Sequence, residues 1–208
     1  MGFSTFFSNQ ARKPSGLFGS IVMSTIFNIG NTYLNKMVNE TIAVKDNDRV
    51  IDIGCGTGNL IKKMASQISD AYIEGVDFSP TMVSIARKKN KNLISEGKVN
   101  IVEGDFNTLP HQNESFDKVC SVNTIYFWPN PEIIAQKMSK ILKPDGFVVI
   151  ALEDIEQLKQ RNLNPNVFRL YKTEKVKDLL SESGFRKDVD IKTKTNGKLK
   201  FHCVVAIK

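Results

Sequence analysis

From residue 45 onward, short apolar runs rich in β-branched residues alternate with stretches whose apolar residues recur at helical spacing. Arg49-Val-Ile-Asp-Ile53 reads as a buried strand, and residues 59–68 follow with Leu60, Met64 and Ile68 on one helical face. Residues 71–76 form a second strand ending at Asp77. Pro80 then opens a helix, where its missing N–H does no harm, and Met82, Ile85 and Ala86 form its apolar stripe. Strands follow at 98–102, 118–122 and 147–152, with a helix over 131–142 stopped by Pro144 and Gly146. A helix over 173–183 ends at Gly184, and strands over 189–194 and 199–207 are joined through Asn196-Gly197, a tight-hairpin dipeptide. Such alternation demands a mainly parallel sheet covered on both faces, and the closing hairpin adds an antiparallel edge. The expected architecture is an α/β, Rossmann-like three-layer αβα sandwich on seven strands, spanning residues 45–208 behind an N-terminal helical cap over 1–44. The stretch 153–172 reads as irregular, and a loop of that length at a strand end is a candidate for function.

Gly54, Gly56 and Gly58 fall between the first strand and its helix, where residues without side chains let the backbone turn sharply and a ligand approach. The spacing is Gly-x-Gly-x-Gly; a dinucleotide loop would require glycine at Asn59. Asp52 precedes the loop within the strand. A carboxylate there repels pyrophosphate but accepts hydrogen bonds from an ammonium group. S-adenosylmethionine carries an α-amino group and a sulfonium and no phosphate. Asp77, at the end of the second strand, is placed to accept from both ribose hydroxyls. Asp105, in Glu103-Gly-Asp-Phe106 after the third strand, is placed to accept from the adenine amino group, with Phe106 packing nearby. Three successive strand ends thus present a carboxylate to one crevice.

These residues resemble the class I S-adenosylmethionine-dependent methyltransferases over about residues 45–208. Val50 to Gly58 resembles the family's first motif, Glu74-Gly-Val-Asp-Phe-Ser-Pro80 its second, and Glu103-Gly-Asp-Phe106 with Leu109-Pro110 and Ser115-Phe-Asp117 the next; Lys143-Pro-Asp-Gly146 resembles its late turn. The resemblance implies a seven-stranded sheet, with Asp77 at the ribose and Asp105 at the adenine. It is nearest to the small-metabolite type, similar to quinone-biosynthesis methyltransferases. The cofactor-binding set expected from sequence and resemblance together is Asp52, Gly54, Cys55, Gly56, Gly58, Asp77, Phe78, Met82, Asp105, Phe106 and Asn123, and the product is S-adenosylhomocysteine. Other subclasses fit poorly. Base amino-methylating enzymes show Asn/Asp-Pro-Pro-aromatic, whereas Asn123-Thr-Ile-Tyr126 lacks both prolines, and no Pro-Cys nucleophile is present.

Acceptor contacts are expected past the fourth strand, with Tyr126 and Trp128 as walls and Tyr33, Asn31 and Asn28 of an N-terminal helix closing from above. That helix is read from Phe18, Val22, Ile26, Ile29, Tyr33 and Met37 on one face, with a bend at Gly30. The uncharged stretch 14–35 carries too many glycines and polar residues to span a membrane, and no cleavage site follows it, so a cytoplasmic protein is expected. Cys55, Cys120 and Cys203 lack metal or disulfide spacing and read as packing residues; no metal site is expected. His111 reads as a surface loop residue, and neither it, His202, Glu153 nor Asp154 is nominated as a base; no catalytic residue is assigned.

The net charge of +7 is densest over Lys187–Lys200, where lysines also guard an edge strand against pairing. A small-molecule acceptor is therefore the first expectation. RNA or protein methylation through that basic region, and a non-catalytic S-adenosylmethionine-binding regulator, remain as alternatives. The sequence leaves the oligomeric state open.

Overall fold

A computed structural model describes residues 3–16, 25, 31–161 and 163–208. Among these, seven strands form one sheet: β1 (Arg49–Ile53), β2 (Tyr72–Asp77), β3 (Val99–Glu103), β4 (Phe116–Val122), β5 (Leu142–Glu153), β6 (Asp190–Asn196) and β7 (Leu199–Ile207). Their order is β3-β2-β1-β4-β5-β7-β6. The first five run parallel, and β7 pairs antiparallel with both β5 and β6. The chain moves outward from β1 to β2 and β3, then returns to β4 on the other side of β1. That reversal opens a crevice at the carboxyl ends of β1 and β4, where ligands of open α/β sheets bind.

Alternation along the strands supplies two cores. Val50, Cys120, Val149 and Cys203 face one layer, made of α2 (Thr32–Ile42), α3 (Asn59–Ala65) and α4 (Pro80–Lys89). Ile51, Val119, Val148 and Ile150 face the other, made of α6 (Pro131–Ile141) and α8 (Thr173–Ser181). Leu34, Met37, Val38 and Ile42 bury one stripe of α2 against the sheet, so α2 covers a sheet face. The other apolar positions expected on that helix, Phe18, Val22, Ile26 and Ile29, with Asn28 and the bend at Gly30, lie outside the described residues. No helix among the described residues is long and apolar enough to cross a membrane.

Several local expectations are revised. Helix α3 ends at Ala65, short of Ile68, because Ser66 closes it and the chain turns toward β2. A short α5 (Lys91–Ser95) follows α4 directly, and α7 (Ile155–Lys159) lies inside the stretch read as irregular. Asp154 caps α7 by accepting from the Glu156 N–H at 3.0 Å. Strand β5 begins at Leu142, before the Lys143–Gly146 turn, because Leu142 already pairs with Phe116 and the turn is carried as an irregularity in register. A short α1 (Phe3–Arg12) precedes the sheet domain.

Candidate functional site

The turn after β1 is fastened to the end of β2: the N–H groups of Gly54 and Cys55 both donate to Val76 O, at 2.8 and 3.0 Å. Two of its glycines are required for different reasons. Gly54 has φ +75°, and a Cβ there would overlap the Thr124 side chain from the end of β4. Gly56 has φ +54°, and a Cβ there would meet no atom within 4 Å. The first glycine lets β1 and β4 close together; the second leaves bare backbone facing open space.

The carboxylates around this loop are partnered unequally. Asp77, 8% exposed, accepts from the Gly56 N–H at 2.8 Å through Oδ2 and from the Ser79 N–H at 2.9 Å through Oδ1. It therefore organises the glycine loop and the start of α4, and each oxygen keeps a lone pair for a ligand. Burial raises its pKa, opposed by those two hydrogen bonds. Asp52 is only 2% exposed, lines the crevice, and its Oδ1 has no hydrogen-bond partner. Burial pushes its pKa from 3.8 up to about 7, a hydrogen bond with Cys120 opposes this, and the Asp77 carboxylate adds to it. A buried oxygen without a partner is a cost that a ligand's N–H donors would relieve. Asp105 is exposed at the crevice; its Oδ1 accepts from the Asn107 N–H at 2.9 Å. Phe106 is buried beside it, under the Lys137 ammonium 4.8 Å from the ring centroid. Phe78 and Met82 complete this end, Phe78 half-exposed beneath Lys13 and Met82 buried.

The opposite end of the crevice is built by the turn after β4, which includes a 3-10 turn (Ile125–Phe127), and by the loop after α7. Asn123 has φ +56°; its Nδ2 donates to Asn31 Oδ1 at 2.8 Å and its Oδ1 accepts from the Tyr126 hydroxyl at 3.2 Å. The same hydroxyl accepts from the Glu153 N–H at 2.9 Å, and burial raises its pKa further above the usual phenol range. Trp128 lines the crevice from within the core. Glu153 closes β5 and is paired with Arg161, with Gln157 Nε2 also donating to it at 3.1 Å. The whole crevice has a volume of about 890 Å³.

Of the residues expected at the site, Asp52, Gly54, Cys55, Gly56, Asp77, Phe78, Met82, Asp105, Phe106, Asn123, Tyr126 and Trp128 line this crevice. Gly58 caps α3 immediately behind the loop, packed against Ala86 and Asn90. Tyr33 is placed elsewhere: its hydroxyl donates to Thr195 O at 2.9 Å and its ring lies 5.1 Å from that of Phe201, so it braces the terminal hairpin. Its helix neighbours Asn31 and Asn35 do reach the crevice. His111 is not a surface residue. Its side chain is buried between Phe106 and Phe116, with Nε2 2.8 Å from Glu74 Oε1. The three cysteines are buried, and burial raises their pKa values, that of Cys203 to about 12. No metal-ligating cluster is found among the described residues. Residues missed from sequence include Thr124, Arg161, Phe168 and Phe7; the long stretch after β5 was the available signal for Arg161 and Phe168.

Comparison with known proteins gives a concordant picture. A family described as "Methyltransferase domain" matches residues 44–192. The demethylmenaquinone methyltransferase of Lactobacillus johnsonii is 31% identical over 110 residues, covering 52% of this chain and 45% of that protein. The uncharacterized methyltransferase YdaC of Bacillus subtilis is 24% identical over 164 residues, covering 79% of this chain and 85% of that protein. The chain spans about half the length of several curated relatives it matches, such as 54% of an O-methyltransferase from Pyrenophora dematioidea. A structure of a Haemonchus contortus phosphoethanolamine N-methyltransferase with S-adenosyl-L-methionine superimposes with a TM-score of 0.77 at 18% identity, over 100% of this chain and 60% of that one.

Proposed function

The chain belongs to the methyltransferase-domain family, and from that premise we propose that it transfers a methyl group from S-adenosylmethionine to a small-molecule acceptor by direct in-line displacement. The observation that carries this reading is the unpartnered, buried Asp52 Oδ1 beside the glycine loop. It suits an α-ammonium and opposes pyrophosphate, as does Asp77 beside it. When bound, the donor supplies a methyl group already activated on a sulfonium. The acceptor's lone pair forms the new bond to carbon while the S–CH₃ electron pair returns to sulfur, leaving S-adenosylhomocysteine; any acceptor proton is lost to solvent.

The chain's own work is positioning. Asp52 holds the ammonium, Asp77 accepts from the ribose hydroxyls with its remaining lone pairs, and Asp105 accepts from the adenine amino group. Phe78, Met82 and Phe106 provide apolar surface for the adenosyl part, and Asn123 flanks the methionine part. Aligning donor and acceptor at roughly 3–3.5 Å supplies most of the acceleration that such a displacement requires. A small acceptor fits a crevice of about 890 Å³, near the top of the roughly 300–1,000 Å³ range for small-molecule sites and thus roomy enough for two molecules. The basic hairpin gives less support to an RNA acceptor, since Lys194 is paired with Glu40 and Lys200 lies 3.7 Å from Asp154. Calorimetry with S-adenosylmethionine, S-adenosylhomocysteine and NAD tests the reading: the first two should bind and NAD should not. Binding of NAD in their place would refute it.

A further inference from the structure

The crevice is chemically two-sided. Its carboxylates Asp52, Asp77 and Asp105 gather at the ends of β1, β2 and β3. The other half, formed by the turn after β4, the loop after α7 and helix α1, is walled by Phe7, Phe127, Leu158, Leu163 and Phe168. The Phe127 and Phe168 rings meet edge-on at 4.7 Å, and Tyr126 lies 6.1 Å from Phe168. Glu153 and Arg161 in that half neutralise each other, and Arg12, the last residue of α1, stands next to Lys13, whose ammonium lies over Phe78 at the cofactor end. Beside Phe127 and Phe168 an ionic acceptor would therefore gain no uncompensated partner, whereas a flat ring would gain aromatic edges and faces.

The wall is also held as a unit. Arg169 N–H donates to Tyr126 O at 3.0 Å, tying the loop to the turn after β4. Asn164 donates to Ser8 Oγ at 3.0 Å and to Thr5 Oγ1 at 2.9 Å, tying α1 to the loop. Beyond α1, Pro14 O accepts from the Ser79 hydroxyl at 2.7 Å, on the cofactor side. Helix α1 thus bridges the two halves and brings Phe7 to the apolar one.

We infer that the methyl acceptor is a mainly apolar, ring-bearing small molecule held against Phe7, Phe127 and Phe168. This rests on the donor assignment above, and the test separates the two. Calorimetry first titrates the protein with S-adenosylhomocysteine, then titrates the loaded protein with naphthol and, separately, with ethanolamine. Naphthol should bind saturably and ethanolamine should not. Phe168→Ala should weaken naphthol binding about tenfold while S-adenosylhomocysteine binds as in the wild type. Because Phe168 also packs against the core, Phe7→Ala on α1 provides a second variant, and it should weaken naphthol in the same direction. Failure of S-adenosylhomocysteine to bind would overturn the donor assignment and this inference with it. Normal S-adenosylhomocysteine binding without a naphthol response, ethanolamine binding as tightly as naphthol, or wild-type naphthol affinity in both variants would overturn this inference alone.

Discussion

Replacing Asp52 by Asn should raise the stability of the ligand-free protein and weaken its binding of S-adenosylhomocysteine, and both effects should grow with pH. In the free protein burial holds the Asp52 carboxyl at about 7, against an ordinary value of 3.8. That gap corresponds to about 4 kcal/mol between its ionised and neutral forms. A carboxyl whose folded pKa is raised contributes stability that is fully present below about pH 4 and is lost as pH rises through about 7. Between about pH 6 and pH 8 the loss from this one group is about 1 kcal/mol, or roughly 2–4 °C in melting temperature for a domain of this size. Asn carries no such dependence, so the melting difference between variant and wild type should widen by that amount over the interval, other titrating groups cancelling. Binding runs the opposite way. An ammonium beside Asp52 keeps it ionised, so wild-type affinity for S-adenosylhomocysteine should rise about tenfold over the same interval and that of Asp52→Asn should stay flat. Thermal melts and calorimetric titrations at the two pH values read both quantities. Parallel pH dependences in variant and wild type would refute the argument, because Asp52 would then not be the group that titrates.

Asp77→Ala removes two hydrogen bonds from backbone N–H groups as well as the proposed ribose contact, so it should cost on the order of 2–4 kcal/mol of stability in addition to reducing S-adenosylhomocysteine affinity roughly a hundredfold; thermal melts and calorimetry on the same sample separate the two losses, and an unchanged affinity would displace the ribose from this position. Gly54→Ala should destabilise strongly, since its methyl meets Thr124 and its φ is positive, whereas Gly56→Ala should cost only about 1–2 kcal/mol of backbone strain and still impair cofactor binding by placing a methyl group in the crevice; equal stabilities in a urea titration would contradict this. Tyr33→Phe should lose up to about 1 kcal/mol through its bond to Thr195 and leave S-adenosylhomocysteine affinity unchanged; a calorimetric loss of affinity would place Tyr33 at the cofactor after all.

The parts of the site legible in the sequence are those made by local chain geometry. Gly54, Gly56 and Asp52 lie within one strand and its turn, and Asp77 and Asp105 mark the ends of the next two strands, so parallel pairing alone brings them to one edge. The sheet itself was readable for the same reason: short, continuously buried apolar runs and the Asn196-Gly197 hairpin are local signals. Misplaced residues depend on long-range partners. His111 reads as a loop residue because Glu74, its partner, lies on β2, and Phe106 and Phe116, which enclose it, stand at opposite ends of its own loop, in the turn after β3 and at the start of β4. Tyr33 shares a helix with Asn31 and Asn35, but which flank of α2 faces the crevice depends on how that helix settles on the sheet, and periodicity is silent on that rotation. Phe7 and Phe168 carry no motif at all; they line one crevice because α1 and the loop after α7 bond to each other through Asn164.

The same geometry links binding to stability. Burial raises the cost of ionising both Asp52 and Asp77, and the Asp77 carboxylate adds to that of Asp52, so the free protein holds unfavourable charge that a cationic ligand offsets. Ligand binding to the folded form alone raises stability in proportion to the logarithm of its concentration over its dissociation constant. Because the affinity itself should climb with pH while the intrinsic stability falls, the stability gained from a fixed, saturating concentration of S-adenosylhomocysteine should be larger at about pH 8 than at about pH 6, by about 1 kcal/mol, and the rise in melting temperature larger in step. A neutral adenosine, which lacks the ammonium, should stabilise equally at both pH values. A pH-dependent gain with adenosine would mean that the carboxylates respond to the ribose or to the closing of the crevice, and the assignment of Asp52 to the ammonium would have to be given up.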